Sequence, residues 1–240
     1  MTCDLHPPLW RRTLGEFVGT ALLLTAVVGS GISAHRLSPG NVGLELLENA
    51  LATAFALVAI ILAMGAVSGA HLNPIITLVD RYLGGVSTRD TLAYCCAQTL
   101  GAGAGVMVAN VMFSLPFVHI STRIRSGGGQ WLGEVVATFG LVLIVVGMAR
   151  SRRTVATPFA VGLYIGAAYF FTSSTSFANP AVTLGRTLTD TFAGIAPRSA
   201  PAFLLAQIAG GVLGVVVAKA LYPTSSAVVE DELIAPDVDR

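Results

Sequence analysis

Ser68-Gly69-Ala70-His71-Leu72-Asn73-Pro74-Ile75-Ile76-Thr77-Leu78 and Ser176-Phe177-Ala178-Asn179-Pro180-Ala181-Val182-Thr183-Leu184-Gly185-Arg186 follow one plan. Each opens on small, loop-forming residues, reaches Asn-Pro, and then runs apolar for about ten residues, roughly 15 Å of helix. Asparagine is a preferred N-cap because its side chain accepts hydrogen bonds from the first free N–H groups, and proline at the first helical position has φ already set. A helix of that length reaches halfway through a bilayer. One Asn-Pro suits an ordinary turn; two in equivalent places of a repeat call for a shared role.

The rest of the chain is written for lipid. Its 240 residues are 54% hydrophobic and 11% charged, whereas soluble domains carry about a quarter charged residues. Apolar runs long enough to cross roughly 30 Å of hydrocarbon recur near 12–34, 46–67, 89–114, 130–149, 154–173 and 200–222. The first follows Arg11 and Arg12 as a signal peptide would, but it is too long and has no convincing cleavage site, so it reads as a span. A net charge of +1 without basic patches argues against a nucleic-acid partner. Cys3 stands apart, and Cys95 and Cys96 are helix neighbours whose side chains diverge, a poor disulfide or chelate.

An internal repeat orders the spans. Gly15-Glu16-Phe17-Val18-Gly19-Thr20 opens the first as Gly133-Glu134-Val135-Val136-Ala137-Thr138 opens the fourth, and Gln98, Gly101 and Gly105 are echoed by Gln207, Gly210 and Gly214. Three spans per half invert the second half relative to the first, a design that places a solute path at the repeat interface. The expected fold is an all-α membrane protein with six transmembrane helices and two half-helices in an inverted 3+3 repeat. Its expected parts are a tail at 1–11, a channel domain at 12–222 (repeats about 12–114 and 130–222) and an acidic tail at 223–240. Placing both termini in the cytoplasm leaves nine Lys and Arg inside and five outside, in the direction positive residues favour.

Ser68 to Thr77 and Asn179 to Thr183, with Glu16, Glu134, Gln98 and Gln207 at their repeat positions, resemble the aquaporin (major intrinsic protein) family over nearly the whole chain. The resemblance implies an aquaporin-like fold whose half-helices meet at Asn73-Pro74-Ile75 and Asn179-Pro180-Ala181 in mid-membrane, with one pore in each subunit of a homotetramer. Two helix N-termini facing one point, each with about half a positive charge, repel cations. Asparagine N–H groups there offer hydrogen bonds to neutral solutes. Inside a span, Glu16 and Glu134 taken alone leave a proton relay open; the resemblance makes them acceptors for loop N–H groups. His71 reads as a loop-bracing or pore-wall donor, with a pH gate as the other reading. His6, His35 and His119 lack metal-ligand spacing. Neither a metal nor a cofactor is implied.

The chain departs from water-selective members at the position three past the second Asn. Those members carry a filter arginine; here it is Val182, which removes charge and donors and widens the constriction. By the family's spacing, Thr53 and Ser176 join Val182 in the selectivity filter, with Tyr169 as the fourth member and Ala168 as the alternative. Arg186, one turn past Val182, reads as a vestibule or surface salt-bridge residue, with replacement of the missing charge as the other reading. Ile75 stands where the family has alanine and implies altered packing between the half-helices.

This filter is similar to that of aquaglyceroporin-like bacterial members linked to arsenic resistance. The function expected is passive passage of water and larger neutral solutes such as glycerol, urea and metalloid hydroxides, including arsenite or methylated arsenicals, across the inner (plasma) membrane. The alternatives are a water-selective aquaporin and an ion-coupled secondary transporter. An enzyme is not expected, because no nucleophile, base and orienting group share a usable spacing.

Overall fold

The computed structural model describes residues 7–222; residues 1–6 of the expected N-terminal tail, with Cys3 and His6, and the expected acidic tail at 223–240 lie outside that range. Eight α-helices follow one another: α1 (Leu9–Leu37), α2 (Val42–Ser68), α3 (Pro74–Leu83), α4 (Thr88–Met112), α5 (Gly128–Arg150), α6 (Thr157–Phe171), α7 (Pro180–Gly185) and α8 (Ala200–Leu221). Six are long and apolar enough to cross a membrane, α6 and α8 counting the 3-10 turns that lead into them. Their ends differ from the apolar runs by no more than four residues. The difference is a polar turn that hydropathy does not see. Asn41 caps α2 by accepting from the Leu44 N–H, and Ser87 caps α4 by accepting from the Asp90 N–H.

The repeat is an inverted one in three dimensions. α1 packs most closely on α4, and α5 on α8. Glycines permit the approach: a Cβ on Gly105 would overlap the Ala21 carbonyl oxygen, and one on Gly210 would overlap that of Val135. In lipid, where apolar surface gains little by leaving its solvent, small residues at the interface let van der Waals contact hold the pair. The outward faces carry large apolar side chains such as Phe55, Leu100, Leu163 and Leu205, as lipid contact requires.

The two half-helices are unequal. α3 has ten residues, as expected, and ends at Gly84 with φ 90°. The expected length does not hold for α7, which has six residues before tightening into a 3-10 turn at Arg186–Leu188. The backbone turns extended at Thr189 (φ −140°), and the Arg186 carbonyl, which in a longer helix would accept from the N–H at 190, accepts from that of Ile195. Residues 187–196 then fold back along the segment 119–123, with Ser121 donating to Thr187 O at 2.9 Å and Ala196 to Arg123 O at 2.6 Å. Those two loops form one mouth of the molecule.

Replacing Gly105 by valine is expected to destabilise the α1–α4 contact by about 1–3 kcal/mol. Thermal unfolding of the detergent-solubilised protein should show a lowered midpoint. Gly103→Ala, whose Cβ meets only a Leu188 methyl at 3.6 Å, should leave the midpoint near its original value.

Candidate functional site

Each loop leading into a half-helix is folded around a buried glutamate. Glu16 accepts from the N–H groups of His71 (3.0 Å) and Leu72 (2.7 Å), the Ser68 hydroxyl (2.6 Å) and Gln98 Nε2 (2.7 Å). Glu134 accepts from the N–H groups of Phe177 (2.8 Å) and Ala178 (2.9 Å) and from Gln207 Nε2 (2.6 Å). Aiming consecutive N–H groups at one carboxylate requires left-handed backbone, and Ala70, Leu72, Ser176 and Ala178 have φ between 48° and 51°. Each such non-glycine residue costs about 1–3 kcal/mol and persists only where its surroundings dictate it.

The asparagines then lock the loops to each other. Asn73 Oδ1 caps its helix by accepting from the Ile75 N–H, while Nδ2 donates to the Ala178 carbonyl at 2.8 Å. Asn179 Oδ1 accepts from the Ala181 and Val182 N–H groups, and Nδ2 donates to the Leu72 carbonyl at 2.7 Å. An amide nitrogen has two N–H donors. One from each asparagine is used across the repeat, and the second remains for whatever passes. Pro74 and Pro180 occupy the first helical positions.

A cavity of about 510 Å³ runs past both asparagines. At one end it is lined by Asp80 and Arg150, at the other by Arg186, with His71 beside Asn73. The four residues named as a filter, Thr53, Tyr169, Ser176 and Val182, all lie on its wall. Tyr169 lines it and Ala168 does not; the Tyr169 and Thr53 hydroxyls are paired at 3.2 Å. Ser176 Oγ is buried without a protein partner. His71 is braced, Nδ1 against Thr77 Oγ1 at 3.2 Å and Nε2 3.6 Å from Asp80 Oδ2. Ile75 presses its Cγ2 into the space above Gly211, so its added bulk packs on α8 as well as near the half-helix junction.

Arg186 corrects the expectation of a surface salt bridge. It is 2% exposed, and no described carboxylate lies within ion-pair reach. Its Nε donates to the Ala193 carbonyl, and its guanidinium carbon sits 3.5 Å from the centroid of the Phe177 ring. Arg125 approaches the same ring at 5.1 Å. Burial, with Arg123 nearby, lowers the Arg125 pKa to about 10, which leaves it charged at neutral pH. The sequence alone assigns no role to Phe177 or Arg125. The only signal for either was the Phe177-Ala178 run before Asn179; the contact partner of Arg125 is created by tertiary folding.

The family model "Major intrinsic protein" matches residues 5–177. The chain belongs to the major intrinsic protein family. A relative named "Aquaglyceroporin AqpS" from Rhizobium meliloti (strain 1021) is 45% identical over 221 residues, covering 92% of this chain and 94% of its own. "Aquaporin A" of Dictyostelium discoideum is 31% identical over 238 residues, covering 93% and 83%. The X-ray structure of the aquaglyceroporin from Plasmodium falciparum superposes with a TM-score of 0.70 at 22% identity over 93% of this chain and 99% of that one, a likeness of fold. This major intrinsic protein is thus a multi-pass membrane protein whose two Asn-Pro motifs face one cavity.

Glu134→Gln puts an NH₂ donor where loop N–H groups need an acceptor, leaving a buried donor unmatched at a cost of about 1–3 kcal/mol. The expected outcome is a loss of folded protein on size exclusion together with equal loss of flux for water and glycerol. Retention of full flux would show that the second loop holds its shape without the carboxylate.

Proposed function

We infer that this chain is a passive channel for water and for uncharged solutes larger than water, such as glycerol, urea and neutral metalloid hydroxides including arsenite or methylated arsenicals. The observation that carries this reading is the cavity running past Asn73 and Asn179 whose wall bears Val182 where a water-selective filter would hold arginine. Thr53, Tyr169, Ser176 and Val182 serve as the selectivity filter: the hydroxyls replace part of a solute's hydration shell, and Val182 leaves room for its carbon or metalloid skeleton. Asn73-Pro74-Ile75 and Asn179-Pro180-Ala181 orient the solute and oppose cations through the half-helix dipoles. His71 braces the first loop and adds a polar group to the wall. The relative named as an aquaglyceroporin supports a solute range wider than water.

Coupled transport is disfavoured by a specific observation. Glu16 and Glu134 are occupied by loop donors and neither lines the cavity, so among the described residues no carboxylate is free beside the two asparagines to carry a coupling proton. A channel of this kind catalyses no reaction. The reading extends to a homotetramer in the inner (plasma) membrane, supported by the family, with residues 12–222 as the channel domain and both termini in the cytoplasm, supported by the excess of arginines on that side.

Val182→Arg is expected to cut glycerol and urea flux by at least about tenfold, a barrier increase near 1.4 kcal/mol, while lowering water flux much less. Stopped-flow light scattering on proteoliposomes measures all three. Exclusion of every solute larger than water by the unaltered protein would sink the wide-filter reading in favour of a water channel.

A further inference from the structure

The direction of the Phe177 side chain is set by the backbone around it. Its N–H is pinned by Glu134, and the residues on either side are left-handed, Ser176 at φ 51° and Ala178 at φ 48°. Phe203, fully buried on α8, meets the ring in a T-shaped contact with centroids 5.2 Å apart. The ring lines the cavity, and the Arg186 guanidinium is stacked on it with its central carbon 3.5 Å from the centroid.

Little else restrains Arg186. Arg125, which reaches the same ring at 5.1 Å, is tied to the Gly194, Ser174 and Phe192 carbonyls through Nε, Nη1 and Nη2. Arg186 makes one hydrogen bond among the described residues, from Nε to the Ala193 carbonyl, and its Nη groups make none. Asp190, the acid of the same loop, accepts instead from the Thr122 N–H and hydroxyl, with His119 and Arg123 nearby, and forms no ion pair with Arg186. Remove the aromatic face, and one hydrogen bond is left to hold this side chain. Val182 lies one helical turn away, about 5–6 Å, within reach of an extended arginine.

We propose that Phe177 is a positioning residue for the pore: its face holds the Arg186 guanidinium against the wall, and the width that Val182 provides depends on that hold. An aromatic face attracts a cation most strongly where water is excluded, and a planar guanidinium stacks on it as an ammonium does not. With the face gone, the Nη groups turn to an unpartnered acceptor. One lies in the cavity wall, Ser176 Oγ, which is buried without a protein partner. A guanidinium drawn to it stands at the filter and restores there the bulk and the donors that Val182 removes. The open filter thus takes two residues, Val182 to leave the space and Phe177 to keep the neighbouring arginine out of it.

Phe177 can set a width only if the cavity is the wide-filter channel inferred above, and one set of measurements separates the two. Proteoliposomes holding the full chain are assayed by stopped-flow light scattering for glycerol and water flux. Phe177→Leu, which keeps apolar bulk and removes the aromatic face, should lower the glycerol-to-water ratio about tenfold, a barrier difference near 1.4 kcal/mol. Phe177→Tyr, which keeps the face, should retain most of the ratio. In an Arg186→Gln background, Phe177→Leu should move the ratio by less than about twofold, because the side chain that enters the pore is gone. An equal drop in both backgrounds assigns the effect to the shape of the ring and overturns the proposal, as does an unchanged ratio in Phe177→Leu. Trifluorophenylalanine at position 177 keeps the shape of the ring and cancels its negative face, so it serves where Phe177→Leu fails to fold. It should lower the ratio in the same direction, and an unchanged ratio there overturns the proposal as well. Absence of glycerol flux in the unaltered protein sinks the wide-filter reading itself, and this proposal with it.

Discussion

Everything in the pore depends on two carboxylates that never touch it. Glu16 and Glu134 each sit within a spanning helix and collect consecutive N–H groups from a loop that has no other reason to hold left-handed backbone at Leu72 or Ala178. Charge-assisted hydrogen bonds in a low-dielectric interior are strong enough to offset a strain of about 1–3 kcal/mol per residue. Gln98 and Gln207 complete each cluster by bridging the glutamate to Thr77 and Thr183, which back-bond to the Asn73 and Asn179 carbonyls. The chain of contacts runs from spanning helix to loop to first helical turn, so the asparagines are placed from behind.

That arrangement explains how irregular backbone survives at membrane depth. An unpaired N–H in hydrocarbon costs several kcal/mol, and such segments are tolerated only where protein supplies partners or water reaches them. Here the partners are divided by direction. N–H groups turn back to the glutamates, whereas the Leu72 and Ala178 carbonyls turn forward and accept from the opposite loop's asparagine. The two loops therefore satisfy each other only when both are formed. The close helix approaches at Gly105 and Gly210 bring α1 to α4 and α5 to α8 at the distance this needs.

The half-helices, their caps and the glutamate partners were legible because each is a local or repeated signal. Asn before Pro suits an ordinary turn as well as a helix start, and its recurrence across an inverted repeat converts a turn motif into a pore motif. Thr53, Ser176 and Val182 could be counted to by spacing, whereas the fourth position stayed open between Tyr169 and Ala168; the four residues named first all line the cavity and Ala168 does not. Arg186 could not be read this way. On a straight helix it lies about 5–6 Å beyond the filter position, but α7 tightens into a 3-10 turn at Arg186. The residue is instead captured by the Ala193 carbonyl and the Phe177 ring, partners supplied by a returning loop and by the strained turn before Asn179. Neither contact has a sequence period. The same returning loop meets the end of α7, where Thr189 is extended and the Ile195 N–H bonds to the Arg186 carbonyl.

On the proposed function, charge and size selection, carried by one arginine in a water-selective filter, are separated along this pore. In that reading Val182 sets a wall that is apolar and small, and size exclusion is relaxed where the cavity passes the hydroxyls of Thr53 and Tyr169. The positive charge has moved one turn outward to Arg186, reinforced by Arg125. Coulomb interactions fall off only as the inverse of distance in a medium of low dielectric, whereas steric contact vanishes within an ångström or two. Moving a guanidinium by a turn therefore removes its bulk from the constriction while keeping much of its field there. A cation approaching from this side meets that field first and the half-helix dipoles next, and a bulky neutral solute meets neither as an obstacle. The substitution that loosens size selection is thus compatible with continued charge discrimination, because the two properties respond to displacement on different length scales.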